Sequence, residues 1–129
     1  MNRVEPIDVQ GLAIDIYKNW SISTRKTRPG PPERIDGMTM GIVTMTENAP
    51  HAGEVHPDGD ELLYVISGKL RISLDSQDEE LILNPGQACI VPSGEWHQVD
   101  VLEPTQLVHV TPGPRGDHRP LPPNNMSGS

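Results

Sequence analysis

In the two longest stretches free of Gly and Pro, apolar residues recur at every second position: Leu12, Ile14 and Ile16 in the first, Leu70, Ile72 and Leu74 in the second. That period puts the apolar side chains on one face of an extended strand, whereas a helix needs a period near 3.6, so helix is disfavoured even where it has room. The second run leads into the polar tip Asp75-Ser76-Gln77-Asp78-Glu79-Glu80, then Leu81-Ile82-Leu83, then the turn Asn84-Pro85-Gly86. Strand, turn, strand is the unit described. Further short strands are predicted at Met38 to Thr46, Gly53 to His56, Glu61 to Ser67, Gln87 to Val91, His97 to Leu102 and Thr105 to Thr111, the spacing of an all-β sandwich or barrel.

Composition sharpens this picture. The chain has 129 residues, enough for one domain with one core, and its 12 Gly and 14 Pro cut it into pieces too short for a helical bundle. The longest apolar run, Leu62 to Ile66, falls far short of the ~20 residues that span a bilayer. Both faces of that run are apolar, so its outward side needs cover from the N-terminal arm or from a second subunit. The opening MNRVEPIDVQ has no apolar h-region, and the lone Cys89 cannot form an internal disulfide; a cytoplasmic protein is expected. With 18 acidic against 10 basic residues and a net charge of -8, a nucleic-acid partner is not expected, because neutralising phosphates takes a basic surface. With no Phe in the chain, any cavity is left to aliphatic and Met walls.

The expected organisation is an N-terminal arm and loop over residues 1–36, a barrel over 37–111 and a Pro/Gly-rich tail over 112–129, disordered or extended along a surface. Within the first part, Arg25 to Arg34 carries four basic side chains around Pro29-Gly30-Pro31-Pro32 and reads as a solvated loop in preference to an anion clamp.

Chemistry concentrates in Gly53-Glu54-Val55-His56-Pro57-Asp58-Gly59-Asp60-Glu61. Glu54 and His56 are two apart and share a strand face, and the turn from Pro57 to Asp60 lets Glu61 bring a carboxylate back beside His56. His97, continued by Val99 and Val101, points into the same interior from another strand. Each has a plainer reading: His56 and His97 as core histidines, and Asp58-Gly59-Asp60 as a turn without the further acidic ligands of a calcium loop. Asp60 stands within reach as a substitute for Glu61. His109 alternates with Val108 and Val110 and faces either the pocket or the outside. Tyr64 and Trp96 read as packing residues, and Ser93 lacks the flanking pattern of a nucleophile elbow.

Gly86, Pro92, Gly94 and His97 resemble the second sequence motif of the cupin superfamily, and His56, Glu61 and Gly68 resemble its first. The resemblance covers Gly53 to Val101 and departs from the family in two places: Val101 stands at an Asn position and Glu54 at the usual first His. His51, five residues before His56, would face the other way on a regular strand. The resemblance implies a double-stranded β-helix, the jelly-roll β-barrel, with a ligand cavity inside. It also implies a divalent metal on His56, Glu61 and His97, with Glu54 as a fourth ligand or, off the metal, as a catalytic general base. Two imidazoles and a carboxylate suit Fe(II), with Mn(II) or Zn(II) as alternatives. The function expected is that of a small metal-dependent enzyme acting on a small oxygen-rich organic molecule. A non-haem dioxygenase is favoured over an isomerase, dehydratase or decarboxylase; the alternatives are a non-catalytic ligand-binding module and a metal-free barrel in which His56 or His97 acts as acid or base. Single-domain relatives imply a homodimer.

Overall fold

The structure, a computed structural model, describes residues 3–29 and 33–121; the Gly30-Pro31-Pro32 break and residues 122–129 of the expected tail lie outside the described residues. Among these the chain is all-β, with nine strands: β1 (Leu12–Tyr17), β2 (Ile22–Lys26), β3 (Gly37–Met45), β4 (Glu54–Val55), β5 (Glu61–Leu74), β6 (Leu81–Leu83), β7 (Ala88–Val91), β8 (His97–Pro112) and β9 (Asp117–His118). They form one curled sheet, the double-stranded β-helix barrel.

Two long antiparallel strands make the frame. The start of β5 pairs with the end of β8, from Leu62↔Val110 to Val65↔Leu107, and the end of β5 pairs with the start of β8, from Leu70↔Val101 to Leu74↔His97. Between the two halves the register shifts over Val65 to Leu70. Gly68 sits in this bulge at φ 91°, and a Cβ there would run into the Pro104 carbonyl and the Thr105 hydroxyl. The buried Thr105 hydroxyl accepts the Lys69 N–H at 2.9 Å and donates to the Glu103 carbonyl at 2.7 Å, which holds the bend. Each long strand thereby turns a corner and serves both walls of the barrel. The sequence pattern reads β5 and β8 as two strands apiece because the bulge interrupts the alternation.

One wall runs β2-β1-β3-β8-β5-β7 and the other β9-β4-β8-β5-β6. Between them Leu63, Val65, Leu70, Ile72, Leu83, Val91 and Leu107 are buried in one cluster. Each such side chain stabilises the fold by about 1.5–3 kcal/mol through apolar burial. This core runs from the bulge to Val91, the neighbour of Glu61 on β7, and Leu63 and Leu107 carry it up to the buried His56, Glu61 and His97.

β1 and β2 build the N-terminal region into the sheet. On β1 the alternation expected from Leu12, Ile14 and Ile16 is present, but the inward side carries Ala13 and Asp15, both buried. Asp15 accepts two hydrogen bonds from Arg25, each 2.9 Å, and one from Thr39 at 2.9 Å. Arg25, expected in a solvated loop, is thus the partner of a buried carboxylate. The strand β2 was not foreseen: its sequence ISTRK has no apolar alternation and lies largely exposed.

The outer surface of the larger wall is continuously apolar. Ile22 lies beside Ile16, Ile16 beside Met38, Ile14 beside Met40, Met40 beside Val110, Val110 beside Leu62 and Leu62 beside Ile90. In the N-terminal arm Val4 and Ile7 are exposed, so these two side chains give the wall no cover.

Candidate metal centre

Three local features bring the polar residues together. The short β4 pairs with β8 through Glu54↔His97, so these two residues sit side by side. His56 follows β4 directly, and the turn at Pro57 to Asp60 returns the chain so that Glu61 opens β5. That turn is fastened to the loop before β8: the Ser93 N–H donates to Asp60 at 2.9 Å and the Ser93 hydroxyl donates to the Pro57 carbonyl at 2.9 Å. Asp60 is therefore occupied as a loop anchor and stays outside the cluster. Asp58 is likewise used, accepting from Arg115.

Glu54, His56, Glu61 and His97 each offer one ligand atom, and these atoms lie within 4.8 Å of one another. His56, Glu61 and His97 are buried, while Glu54 is partly exposed toward the cavity. His97 Nε2 is 2.9 Å from Glu61 Oε1 and 3.5 Å from Glu54 Oε1. His56 Nε2 is 3.3 Å from Glu61 Oε2 and 3.5 Å from Glu54 Oε1, yet neither of its ring nitrogens makes a hydrogen bond. A buried imidazole in that state is costly unless a cation held between it and the carboxylates, or a proton that lets it pair with them, satisfies it. His97 Nδ1 donates to the Glu95 carbonyl at 3.2 Å, which directs Nε2 at the carboxylates. The donor set, two imidazole nitrogens and two carboxylate oxygens, fits a divalent cation of intermediate hardness.

Electrostatics point the same way. Burial disfavours charge on all four groups, but the mutual pairing outweighs it. The neighbouring Glu54 and Glu61 hold His56 protonated up to about 9 and His97 up to about 10. The two imidazoles hold Glu61 down at about 2 and Glu54 below the usual carboxylate range. Without a metal, protons occupy the place of the cation.

A cavity of about 250 Å³ opens on this cluster, with Glu54, His56 and Glu61 in its wall. Val43, Met45, Leu63, Val99 and Leu107 supply apolar surface, and Thr39, Gln98, His109 and Thr111 supply polar atoms. His109 thus faces the pocket. His51 also reaches the wall, with Nε2 3.8 Å from Glu54 Oε2, because it lies on a bend and not on a regular strand. It remains outside the four-residue cluster. Thr111, missed by the sequence reading, shares the face of Leu107 and His109 by simple alternation and could have been found from it. Trp96 packs under the Arg119 guanidinium, 4.3 Å away, while Tyr64 points outward and is half exposed. Val101, at the family's Asn position, packs against the core.

The profile of the cupin domain matches residues 41–111, more than half of the chain. No curated protein matches the sequence. Among solved structures, the fold is similar to a cupin-2 domain protein of Shewanella frigidimarina, at 20% identity over 69% of this chain and 85% of that one, with a TM-score of 0.53. It is similar to a cupin superfamily protein of Desulfitobacterium hafniense, at 19% identity over 60% of this chain and 69% of that one, with a TM-score of 0.52. It is also similar to Bacillus subtilis oxalate decarboxylase, a protein with Mn(II) centres, at 23% identity over 63% of this chain but 23% of that one, with a TM-score of 0.53. Sequence profile, barrel topology and the position of the His and Glu cluster agree: the chain belongs to the cupin domain family.

Proposed function

We propose that this chain is a metal-dependent enzyme acting on a small oxygen-rich organic molecule, with His56, Glu61, His97 and Glu54 holding a divalent transition metal, Fe(II) first and Mn(II) or Zn(II) next. The observation that carries the reading is His56: buried, facing two carboxylates, and without a hydrogen bond to either ring nitrogen. A bound cation would supply Lewis-acid polarisation of a substrate carboxylate, keto or enol oxygen and, as Fe(II), redox chemistry with O₂. The protein's own part begins with the cavity, whose aliphatic side chains orient the ligand's apolar portion. Glu54, the most exposed of the four, stands where a carboxylate can take a proton from the ligand if it is off the metal. Oxidative cleavage is the leading reaction class; isomerisation, dehydration or decarboxylation follows it. The apolar outer wall supports a homodimer as the working unit.

Elemental analysis of protein purified without a chelating tag is expected to find near-stoichiometric metal, and added Fe(II), Mn(II) or Zn(II) to raise the melting temperature of stripped protein. His56→Ala should reduce metal content to background. Stripped protein that neither retains nor responds to any of the three ions would end this reading. Oxygen uptake by the Fe(II) form with a panel of enols, catechols and keto acids then separates the reaction classes, since no uptake moves the assignment to isomerase or lyase chemistry.

A further inference from the structure

His109 is not part of the metal cluster, yet its ring lines both the cavity described above and a second one of about 490 Å³, rimmed by Arg25, Lys26 and Arg28. Thr39, Val43 and Glu33 also border both, so the two spaces meet at this ring. The hydrogen bonds around it settle which nitrogen carries a proton. The Thr111 hydroxyl is 2.7 Å from Glu61 Oε2, and an ionised carboxylate only accepts, so Thr111 donates. With its single proton spent, the Thr111 oxygen can only accept from His109 Nδ1, 2.8 Å away. Nδ1 therefore carries a proton, and Nε2, with no acceptor bonded to it among the described residues, presents the lone pair of the neutral ring. Among the described residues Nε2 has no hydrogen-bond partner. It lies over Gly41, the residue opposite His109 on β3, where any side chain would strike it.

We propose that His109 Nε2 is a fixed hydrogen-bond acceptor where the two cavities meet, selecting ligands that carry a hydroxyl or N–H donor close to their metal-binding oxygens. This rests on the cavity being the substrate site of the metal enzyme proposed above. Thr111 is the positioning residue: through it the carboxylate of Glu61 dictates the tautomer of His109. Burial pushes the imidazole pKa down, which keeps the ring neutral and the lone pair available. A ligand with the donor gains a hydrogen bond from this fixed, pre-oriented acceptor that a ligand without it does not make, and the discrimination is that difference.

Side-chain nitrogen NMR on the metal-free protein tests the tautomer without reference to metal or activity. The Nδ1–H form is expected in wild type and in Thr111→Ser, and its loss in Thr111→Val, which cannot accept. On Zn(II)-loaded protein, 4-nitrocatechol and its monomethyl ether then serve as probes with and without the donor. The wild-type preference for the catechol should fall about tenfold in His109→Phe at equal zinc content, the loss of about one hydrogen bond. An Nε2–H tautomer in wild type, or an unchanged preference in His109→Phe, overturns the proposal. If zinc fails to bind while the Nδ1–H form is found, the acceptor assignment stands on the tautomer and the metal reading is what falls.

Discussion

Asp15 shows how a single charged residue can be committed to the fold. It is 1% exposed, and Arg25 and Thr39 supply the hydrogen bonds that replace its lost water. The Arg25 hydrogen bonds outweigh the cost of burial and hold its carboxyl below the ordinary value of 3.8. With the folded value depressed, the unfolded chain binds more protons as acidity rises, so this stabilisation is complete above the ordinary value and disappears as pH falls through the folded one. Asp15→Asn is accordingly expected to cost about 2 kcal/mol at neutral pH, leaving Arg25 without its counter-charge. Urea unfolding from pH 7 down to 2 should show the wild-type advantage shrinking below the ordinary carboxylate range. A difference that stays constant to pH 2 would show that the ion pair is not its source. The pairing was illegible in the sequence because Asp15 reads there as the polar side of an alternating strand. Only the pairing of β1 between β2 and β3, which brings Arg25 and Thr39 alongside it, makes that side an interior. The four cluster residues were legible for the opposite reason: a period-two pair, a turn and a return fix His56, Glu54 and Glu61 within one local unit, and His97 comes with its own turn signature.

The strands were legible wherever one face is wet and the other dry, and unreadable where that contrast fails. β2 is exposed on nearly every residue, and β9 pairs with β4 through Asp117 and His118, neither of which has an apolar pattern to betray a strand. The fusion of four predicted segments into β5 and β8 has a different cause. Both bends depend on Gly68, whose positive φ and close approach to Pro104 and Thr105 leave no room for a side chain. Gly68→Ala should therefore destabilise the protein by about 3 kcal/mol or more, combining a left-handed backbone with a backbone clash. Because the corner couples both walls, the loss should appear as a lower denaturant midpoint for the whole barrel and not as local fraying. A cost below about 1 kcal/mol would mean that the bulge can relax elsewhere. Gly86 and Gly94 share a positive φ but have open space where a Cβ would go, so their substitution should be milder.

At the scale of the molecule, the decisive feature is the apolar outer wall running from Ile22 across Met40 and Val110 to Ile90. Ile90 is 67% exposed, Ile22 64% and Leu62 37%, and apolar side chains from neighbouring strands join them into one surface. A patch this continuous on a lone subunit favours association, and a second copy is the occupant the chain itself can always provide. The sequence had left the N-terminal arm as the other candidate. Val4 and Ile7 are exposed, so the arm adds apolar surface that itself calls for cover. Light scattering at micromolar concentration should give the mass of a dimer for the wild type and of a monomer for Ile90→Asp or Leu62→Asp, because a desolvated carboxylate on each side of a two-fold contact repels its mate. Both substitutions point away from the interior, so far-UV circular dichroism and metal content should be unchanged. A monomeric wild type would leave the wall to some other partner. A dimer that survives both changes would place the contact elsewhere. The cavity opens on the inner side of this wall and the apolar surface lies on its outer side. Dimerisation should therefore rigidify β3 and β8, which carry Gly41, His109 and Thr111, and stripped dimer should unfold at a higher temperature than stripped monomer.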